Sequence, residues 1–534
     1  MSKNLSRRAM LRRTTGALLA GTAGFPFCLR AREQPIPPFK DGVVVGENEG
    51  MRVGLAVLAD GGNAVDAVVA AALAASIAAP SRSGIGGYGG HMIVALDGGK
   101  KIGAIDFNTA APAAARPDMF PLDQKESVID RKNFFGWQAV GVPGVLAGMQ
   151  IALERYGTRS FREMIQPAIG LAEKGIVVGK TFANTLRGCA PRFAKDPGSA
   201  SLYLRSGKPP KEGDVLRNPD LAEMLSTLAK RNSVDSFYRG DIAQRIADAF
   251  QKHGGLVTSK DLGAYRARDV KSLELQFGQF TVLTAPLTAA GLTILQALSI
   301  LKSLGWNSQG NAGPVLHAQL EALRLAWKDR LELFGDPDQV KVPVEKLLSA
   351  DYARELAGKV RHAVDEERKP IDTGVQKHTD EGTNNLCAVD KHGNMVAVTL
   401  THGGSFGAQV TVDGLGLTLG HGMSRFDPHP VSPNAPGPGK RPVHNMCPSL
   451  VLREGVPEIA IGAAGGVRIP NTIYSALTEY LVRGASLDAA IAAPRLQCTG
   501  TLDVAVEPGS PKDTAEYLRQ IGFRVQTWES SSVA

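Results

Sequence analysis

Cysteine is scarce in this chain. There are five in 534 residues, at positions 28, 189, 387, 447 and 498, and no two form a CxxC pair. Such wide spacing argues against a thiolate metal cluster or a dense disulfide framework. Long apolar runs are also missing: beyond the first 32 residues nothing approaches the ~20 residues of a membrane span. No internal repeat is visible. An excess of one charge is lacking too, once the N-terminus is set aside. The formal net charge is +8, but residues 1–32 hold Lys3, Arg7, Arg8, Arg12, Arg13, Arg30 and Arg32 and no acid, so the remainder carries only +1. The high isoelectric point is therefore no argument for nucleic-acid or membrane partners.

The N-terminal 32 residues read as a leader. Ser6-Arg7-Arg8-Ala9-Met10-Leu11 is a twin-arginine pattern, followed by a small, apolar run from Thr14 to Leu29 and the Pro-rich Gln34-Pro35-Ile36-Pro37-Pro38. This order predicts export to the periplasm or beyond, with residues 1–32 as signal peptide. Hydrophobic content of 43% and charge of 21% fit an ordinary soluble enzyme or binding protein.

Local patterns give a mixed set of helices and strands. Gly50 to Ala59 reads as a helix ended by Asp60-Gly61-Gly62, and Asn63 is placed to cap a second, Ala/Val-rich helix that is suited to burial. The glycine-rich Ser83-Gly84-Ile85-Gly86-Gly87-Tyr88-Gly89-Gly90 follows a helix and precedes a strand, the wrong order for a dinucleotide-binding turn. Strands are expected at His91–Leu96 and Ile102–Asp106, and helices from Gly141 through Tyr156 and from Phe161 to Lys174. Residues 185–345 read mainly as helices, with β structure at Leu273–Thr284 and a clear helix at Ala318–Arg330. Further on, short strands are expected at Gln409–Val412 and Leu415–Leu419, a strand pair at Ser449–Leu452 and Pro457–Ile461, and a helix from Asn471 to Val482. Cys387 and Cys447 fall in apparent strands as small buried residues.

Between these lies the stretch that bears chemistry. Asp380-Glu381-Gly382-Thr383-Asn384-Asn385 leads into a β-hairpin that turns at Lys391-His392-Gly393-Asn394 and ends in Thr399-Leu400-Thr401. The polar, periodless segment from Thr373 to Gly382 reads as an exposed loop. A Gly-Thr junction where a loop enters a strand can undergo an N→O acyl shift, which leaves Thr383 as a new N-terminus. Its hydroxyl then serves as nucleophile and its α-amine, with a pKa of about 8, as general base.

Taken with Gly84-Ile85-Gly86-Gly87, Gly439-Lys440-Arg441-Pro442 and Gly462-Ala463-Ala464-Gly465-Gly466-Val467-Arg468, this order resembles the γ-glutamyltranspeptidases, an N-terminal-nucleophile hydrolase family, from about Val44 to Pro508. The resemblance implies an α+β fold, a four-layer αββα sandwich; periodicity alone gives only mixed α and β. It also implies a precursor that cuts itself into a large subunit, 33–382, and a small subunit, 383–534, which stay together as a heterodimer. By the same resemblance Thr383 is the nucleophile, Thr401 orients it, and the backbone N–H groups of Gly465 and Gly466 form the oxyanion hole.

The positions that would grip substrate depart from the family pattern. Asn108 stands where the family has an arginine for the glutamyl α-carboxylate, and Ser424 where it has an aspartate for the α-ammonium. His444 and Asn445 replace two serines, and Gly403 replaces an asparagine. Loss of a buried charge pair costs on the order of 2–5 kcal/mol. The expected enzyme is therefore γ-glutamyltransferase- or glutathione hydrolase-like in chemistry, with an acyl pocket altered toward a group lacking an α-amine. Arg425, or less plainly Arg82, is a candidate to receive an acid on it. Substrate binding is thus assigned to Asn108, Ser424, Arg425, His444 and Asn445, with a small-molecule amide and a water or amine acceptor as partners. No metal and no cofactor are implied. Two alternatives stand beside this reading: an acylase for a non-glutamyl acyl group, and a non-catalytic binding protein on the same scaffold.

Overall fold

The computed structural model describes residues 40–305, 312–366 and 382–527. The leader, the Pro-rich linker and residues 373–381 of the expected loop lie outside this set. Ten strands build two sheets: β1 (Gly42–Val45), β2 (Gly89–Leu96), β3 (Lys101–Asp106), β4 (Arg268–Val270), β5 (Leu273–Phe277), β6 (Phe280–Thr284), β7 (Gly382–Asp390), β8 (Met395–Gly403), β9 (Ser449–Arg453) and β10 (Val456–Ile461). The first sheet has the order β1-β7-β8-β2-β3-β4 and the second β10-β9-β6-β5. Every neighbouring pair in both is antiparallel.

The two sheets meet face to face. Alternate residues of β2 and β8, Ile93, Ala95, Met395 and Ala397, pack against Leu283, Leu450 and Leu452 of the second sheet. The intervening residues, Met92, Val94, Val396 and Val398, point the other way into a helical layer. This period of two follows from strand geometry, and here both faces are apolar because both are covered. Over the first sheet lie α1 (Asn48–Ala59), α2 (Ala64–Ala78) and α3 (Val145–Tyr156); over the second lie α4 (Gly291–Ser303), α5 (Ala312–Leu333), α6 (Ala350–Asp365) and α7 (Arg468–Leu481). The αββα sandwich is thus present, with each fully buried Leu or Ile contributing about 1.5–3 kcal/mol.

Helix α2 has almost no exposed side chain, as its all-round apolar sequence requires. Asn63 caps it by accepting from Val65 and Asp66 N–H, while Asp66 accepts from Asn63 N–H at 2.9 Å. The same Asp66 accepts from the N–H groups of Thr158 and Arg159. Asp390, at the end of β7, accepts from Asn394 in the hairpin turn and from Ala64 N–H. The Gly-Gly-Asn-Ala-Val-Asp-Ala string therefore fixes packing and anchors the hairpin to α2.

Several boundaries differ from expectation. Gly382 is a buried strand residue, not loop. The helix expected from Gly141 starts at Val145, and that at 161–174 is two pieces, Phe161–Met164 and Gln166–Lys174, the second with proline in its first turn. Strands expected around 409–419 shrink to Thr411–Val412 and Leu417–Thr418. Cys447 precedes β9 and is buried in a loop segment, where desolvation pushes its thiol up to about 12. The helix expected at Asn471 starts three residues earlier, at Arg468. No described helix is long and apolar enough to cross a membrane.

Candidate active site

Register brings the two threonines together. In the β7–β8 ladder Thr383 lies opposite Thr401, and Gly382 opposite Gly403 across a bulge at His402. The Thr383 hydroxyl donates to Thr401 Oγ1 at 3.3 Å. The Thr401 hydroxyl in turn donates to the carbonyl oxygen of Gly382, and Gly403 N–H donates to Thr401 Oγ1 at 2.7 Å. Thr401 therefore touches both the attacking hydroxyl and the carbonyl that an N→O shift would attack. The bulge is what aims Gly403 N–H at it. Both threonines are buried.

The loop after β10 arrives over this point because Gly462 has no side chain. A Cβ there would sit 1.8 Å from Asn385 Oδ1, and Asn385 itself accepts from Thr399 at 2.9 Å. Gly465 and Gly466 then take φ of +129° and +62°, in the region that glycine enters at no steric cost. They immediately precede α7, a helix of 14 residues whose N-terminus favours developing negative charge. Arg468 holds the turn by donating, from both its backbone N–H and its Nε, to Gly465 O at 3.2 Å.

A cavity of about 210 Å³ joins Thr383 and Thr401 to Gly466, Arg425, His444 and Asn445. Gly465 is not in its lining. Tyr88 from the glycine-rich loop, Gly403, Met446 and Ile469 complete the wall; sequence reasoning assigned none of these four to substrate. Among the described residues no carboxylate lines it.

Two assigned substrate residues are not brought to the cavity. Asn108 is fully buried, its amide donating to Thr288 Oγ1 and Pro442 O, both at 2.7 Å. It ties segments together. Ser424 sits in the short turn Gly422–Arg425, and its hydroxyl donates to His421 O at 2.9 Å. The turn directs the next residue, Arg425, to the cavity instead. The charge that this turn brings to the cavity is therefore the Arg425 cation. Arg82 is exposed and is not in the cavity lining; its carbonyl accepts from His402 N–H and its own N–H donates to Ala79 O.

His421 explains Gly403. A Cβ on residue 403 would lie 2.2 Å from the His421 ring, so the imidazole occupies the space a side chain would need. Its Nε2 accepts from Gly404 N–H, and its Nδ1 lies 2.5 Å from Ser424 Oγ, which fixes the proton on Nδ1. The His444 ring packs at a tilt against Tyr88, with centroids 4.8 Å apart, and neither ring nitrogen has a hydrogen-bond partner. Burial, reinforced by Arg425, holds its pKa well below the ordinary value. Asn445 accepts from Arg330 at 3.0 Å, which also donates to His444 O; burial lowers Arg330 to about 10. Nearby, Asp106 pairs with Arg441 at 3.0 Å; burial would raise its pKa, and Arg441 with His91 brings it below the usual value. Among the described residues no cluster of His, Cys, Asp or Glu is placed to hold a metal ion.

A four-layer αββα sandwich with a threonine at the start of a central strand, hydrogen-bonded to a second threonine, defines an N-terminal-nucleophile hydrolase. The chain belongs to the γ-glutamyltranspeptidase family, whose model matches residues 50–534. It is 34% identical over 486 residues to a glutathione hydrolase proenzyme of Pseudomonas sp. strain A14, covering 87% of this chain and 82% of that one. It is 33% identical over 479 residues to the acylase ACY 1 proenzyme of Pseudomonas sp. strain SE83, covering 88% and 85%. The solved cephalosporin acylase of Bacillus halodurans superposes with a TM-score of 0.81 at 28% identity, covering 96% of this chain and 93% of that one.

Proposed function

We propose that this chain cuts itself between Gly382 and Thr383 and then works as a threonine N-terminal-nucleophile amide hydrolase or acyltransferase, with an acyl pocket not built for a glutamyl zwitterion. The observation that carries the reading is the run Thr383 Oγ1, Thr401 Oγ1, Gly382 O. In the first step Thr383 Oγ bonds to the Gly382 carbonyl carbon while Thr401 polarises its oxygen. The C–N bond then breaks, its nitrogen takes the proton that the Thr383 hydroxyl gives up and becomes the α-amine, and water hydrolyses the ester. In turnover the α-amine takes the Thr383 hydroxyl proton as Oγ attacks a substrate amide. The leaving amine takes that proton, and the acyl ester passes to water or an amine. In turnover the oxyanion of the tetrahedral state falls to the N–H groups of Gly465 and Gly466.

Arg425 in the cavity wall, with no lining carboxylate, supports an acyl group that carries an acid and no ammonium. Relatives named acylases accord with this, beside relatives named glutathione hydrolases. The large subunit would run from 33 to 382 and the small from 383 to 534. We extend the proposal to twin-arginine export, on the leader pattern at 6–11.

Mass spectrometry and N-terminal sequencing of the purified protein test the first claim. A fragment starting at Thr383 is expected, with Thr383→Ala left as one chain; an uncut wild type overturns it. For the second, glutaryl-p-nitroanilide is expected to be cleaved faster than γ-glutamyl-p-nitroanilide. γ-Glutamyl turnover equal to that of a known transpeptidase overturns the altered pocket.

A further inference from the structure

A second and larger cavity lies on the opposite face of β8 from the threonines. Along β8, Thr401 lines the cavity of the catalytic threonines, whereas His402, at the bulge, lines this second one among residues of the helical layer. The cavity, about 490 Å³ including its opening, is walled by the backbone of Gly84–Gly86 and by apolar side chains such as Ile77, Leu171, Ala172 and Leu221. His402 lines it as well, its ring packed against Gly84, where a Cβ would lie 2.2 Å from Nε2.

The polar groups in this wall are already committed, with one exception. Ser76 donates to Ala72 O at 2.8 Å, Tyr203 and Thr418 share a hydrogen bond of 2.6 Å, and the Asn218 amide bridges Gly416 O and Leu221 N–H. The His402 ring has no such partner: it is only 1% exposed, and its buried Nδ1 makes no hydrogen bond. An unsatisfied buried polar group of this kind costs roughly 1–3 kcal/mol. Among the described residues no Lys, Arg, Asp or Glu lines the cavity, which favours an uncharged guest.

We propose that this cavity is a binding site for a neutral, ring-sized apolar molecule bearing one hydroxyl or N–H, which the His402 imidazole receives. Burial, with a smaller effect of His421, lowers the His402 pKa to about 3, so the ring offers one donor and one acceptor. The site is distinct from the acyl pocket and has no lining residue in common with it, but the segments that line the two adjoin, with His402 between Thr401 and Gly403. Asn384, next to Thr383, donates to Ser83 at 2.8 Å; His402 O accepts from His421 N–H at 3.1 Å, and Tyr88 ends the same glycine loop. A guest would brace both supports of the catalytic strand ends.

The test uses p-cresol as probe, with toluene and benzoate as controls, on the full protein. Binding is read by isothermal titration and by the imidazole signals of His402 in nitrogen-15 NMR. The expected result is saturable p-cresol binding, at least tenfold tighter than toluene or benzoate, with the His402 signals moving. His402→Phe should remove the preference over toluene. Ala172→Phe, or Leu202→Trp at the rim should the first not fold, should abolish binding. Absence of saturable binding, equal affinity for toluene, or binding that survives in a folded cavity-filling variant overturns the proposal.

Discussion

Position 403 shows how one missing side chain can organise a site. The His421 ring lies where a residue-403 side chain would go, and Gly403 N–H is free to donate to Thr401. Gly403→Asn should push the ring out, rotate that N–H away, and slow self-cleavage at least tenfold in a mass-spectrometric time course. The φ of +94° at this position adds to the penalty. Arg425 carries a different prediction. If it grips an acid on the acyl group, Arg425→Ala should raise KM for glutaryl-p-nitroanilide roughly thirtyfold, the equivalent of about 2 kcal/mol, and leave self-cleavage intact. The sequence made Arg425 visible as a cation but could not say which of Ser424 and Arg425 faces inward, since a short turn, not a regular period, decides it. Asn108 was legible as a departure from the family pattern; its bonds to Thr288 and Pro442 join segments far apart in sequence and leave no local sign.

At the scale of elements, the β7–β8 hairpin was the most readable part. Turn chemistry and apolar strands are both local, and a hairpin's register follows from its turn, so the pairing of Thr383 with Thr401 is contained in the spacing. By contrast β1 and β4 have four and three residues and owe their existence to distant partners: Gly42 pairs with Asp390, and Arg268 with Asp106. Both are too short for a period to show, and only the valine run of β1 leans locally toward a strand. The turn before α7 lies between these cases. Its glycines were plain, but the helix start at Arg468 places them directly at a helix N-terminus. Gly465→Ala would need a side chain at φ +129° and should turn the donor N–H away. A fall in kcat of about a hundredfold is expected for a lost oxyanion donor, with KM little changed, measured on protein already cleaved.

For the whole molecule, pH should act through buried histidines. Burial lowers His91 and His317 to about 4 and His402 to about 3, each from an ordinary value near 6.5. The unfolded chain therefore takes up protons between pH 6.5 and about 4 while the folded chain does not. Their contribution to stability is complete above pH 6.5 and declines as the pH falls through that window. Thermal unfolding should show a lower Tm at pH 5 than at pH 7.5. A flat profile would mean that these rings are charged or solvated in the folded state. Catalysis should respond differently, with its acid limb set by the Thr383 α-amine near pH 8 and present only after cleavage.

The sheets place the proposed cut in an unusual setting. β7 and β8, from beyond Thr383, are inserted between β1 and β2, while β9 and β10 complete a sheet begun by β5 and β6. The strands on either side of the proposed cut interlock in both layers, so the cut would discard a covalent connection needed to weave them once the weaving is done. Uncut Thr383→Ala should then recover from denaturant as a single chain, at a rate independent of concentration. The matured protein has to find its other half by collision and should recover poorly when dilute. An enzyme cut in this way would reassemble only when its halves meet, and its working lifetime would be set by how slowly they part.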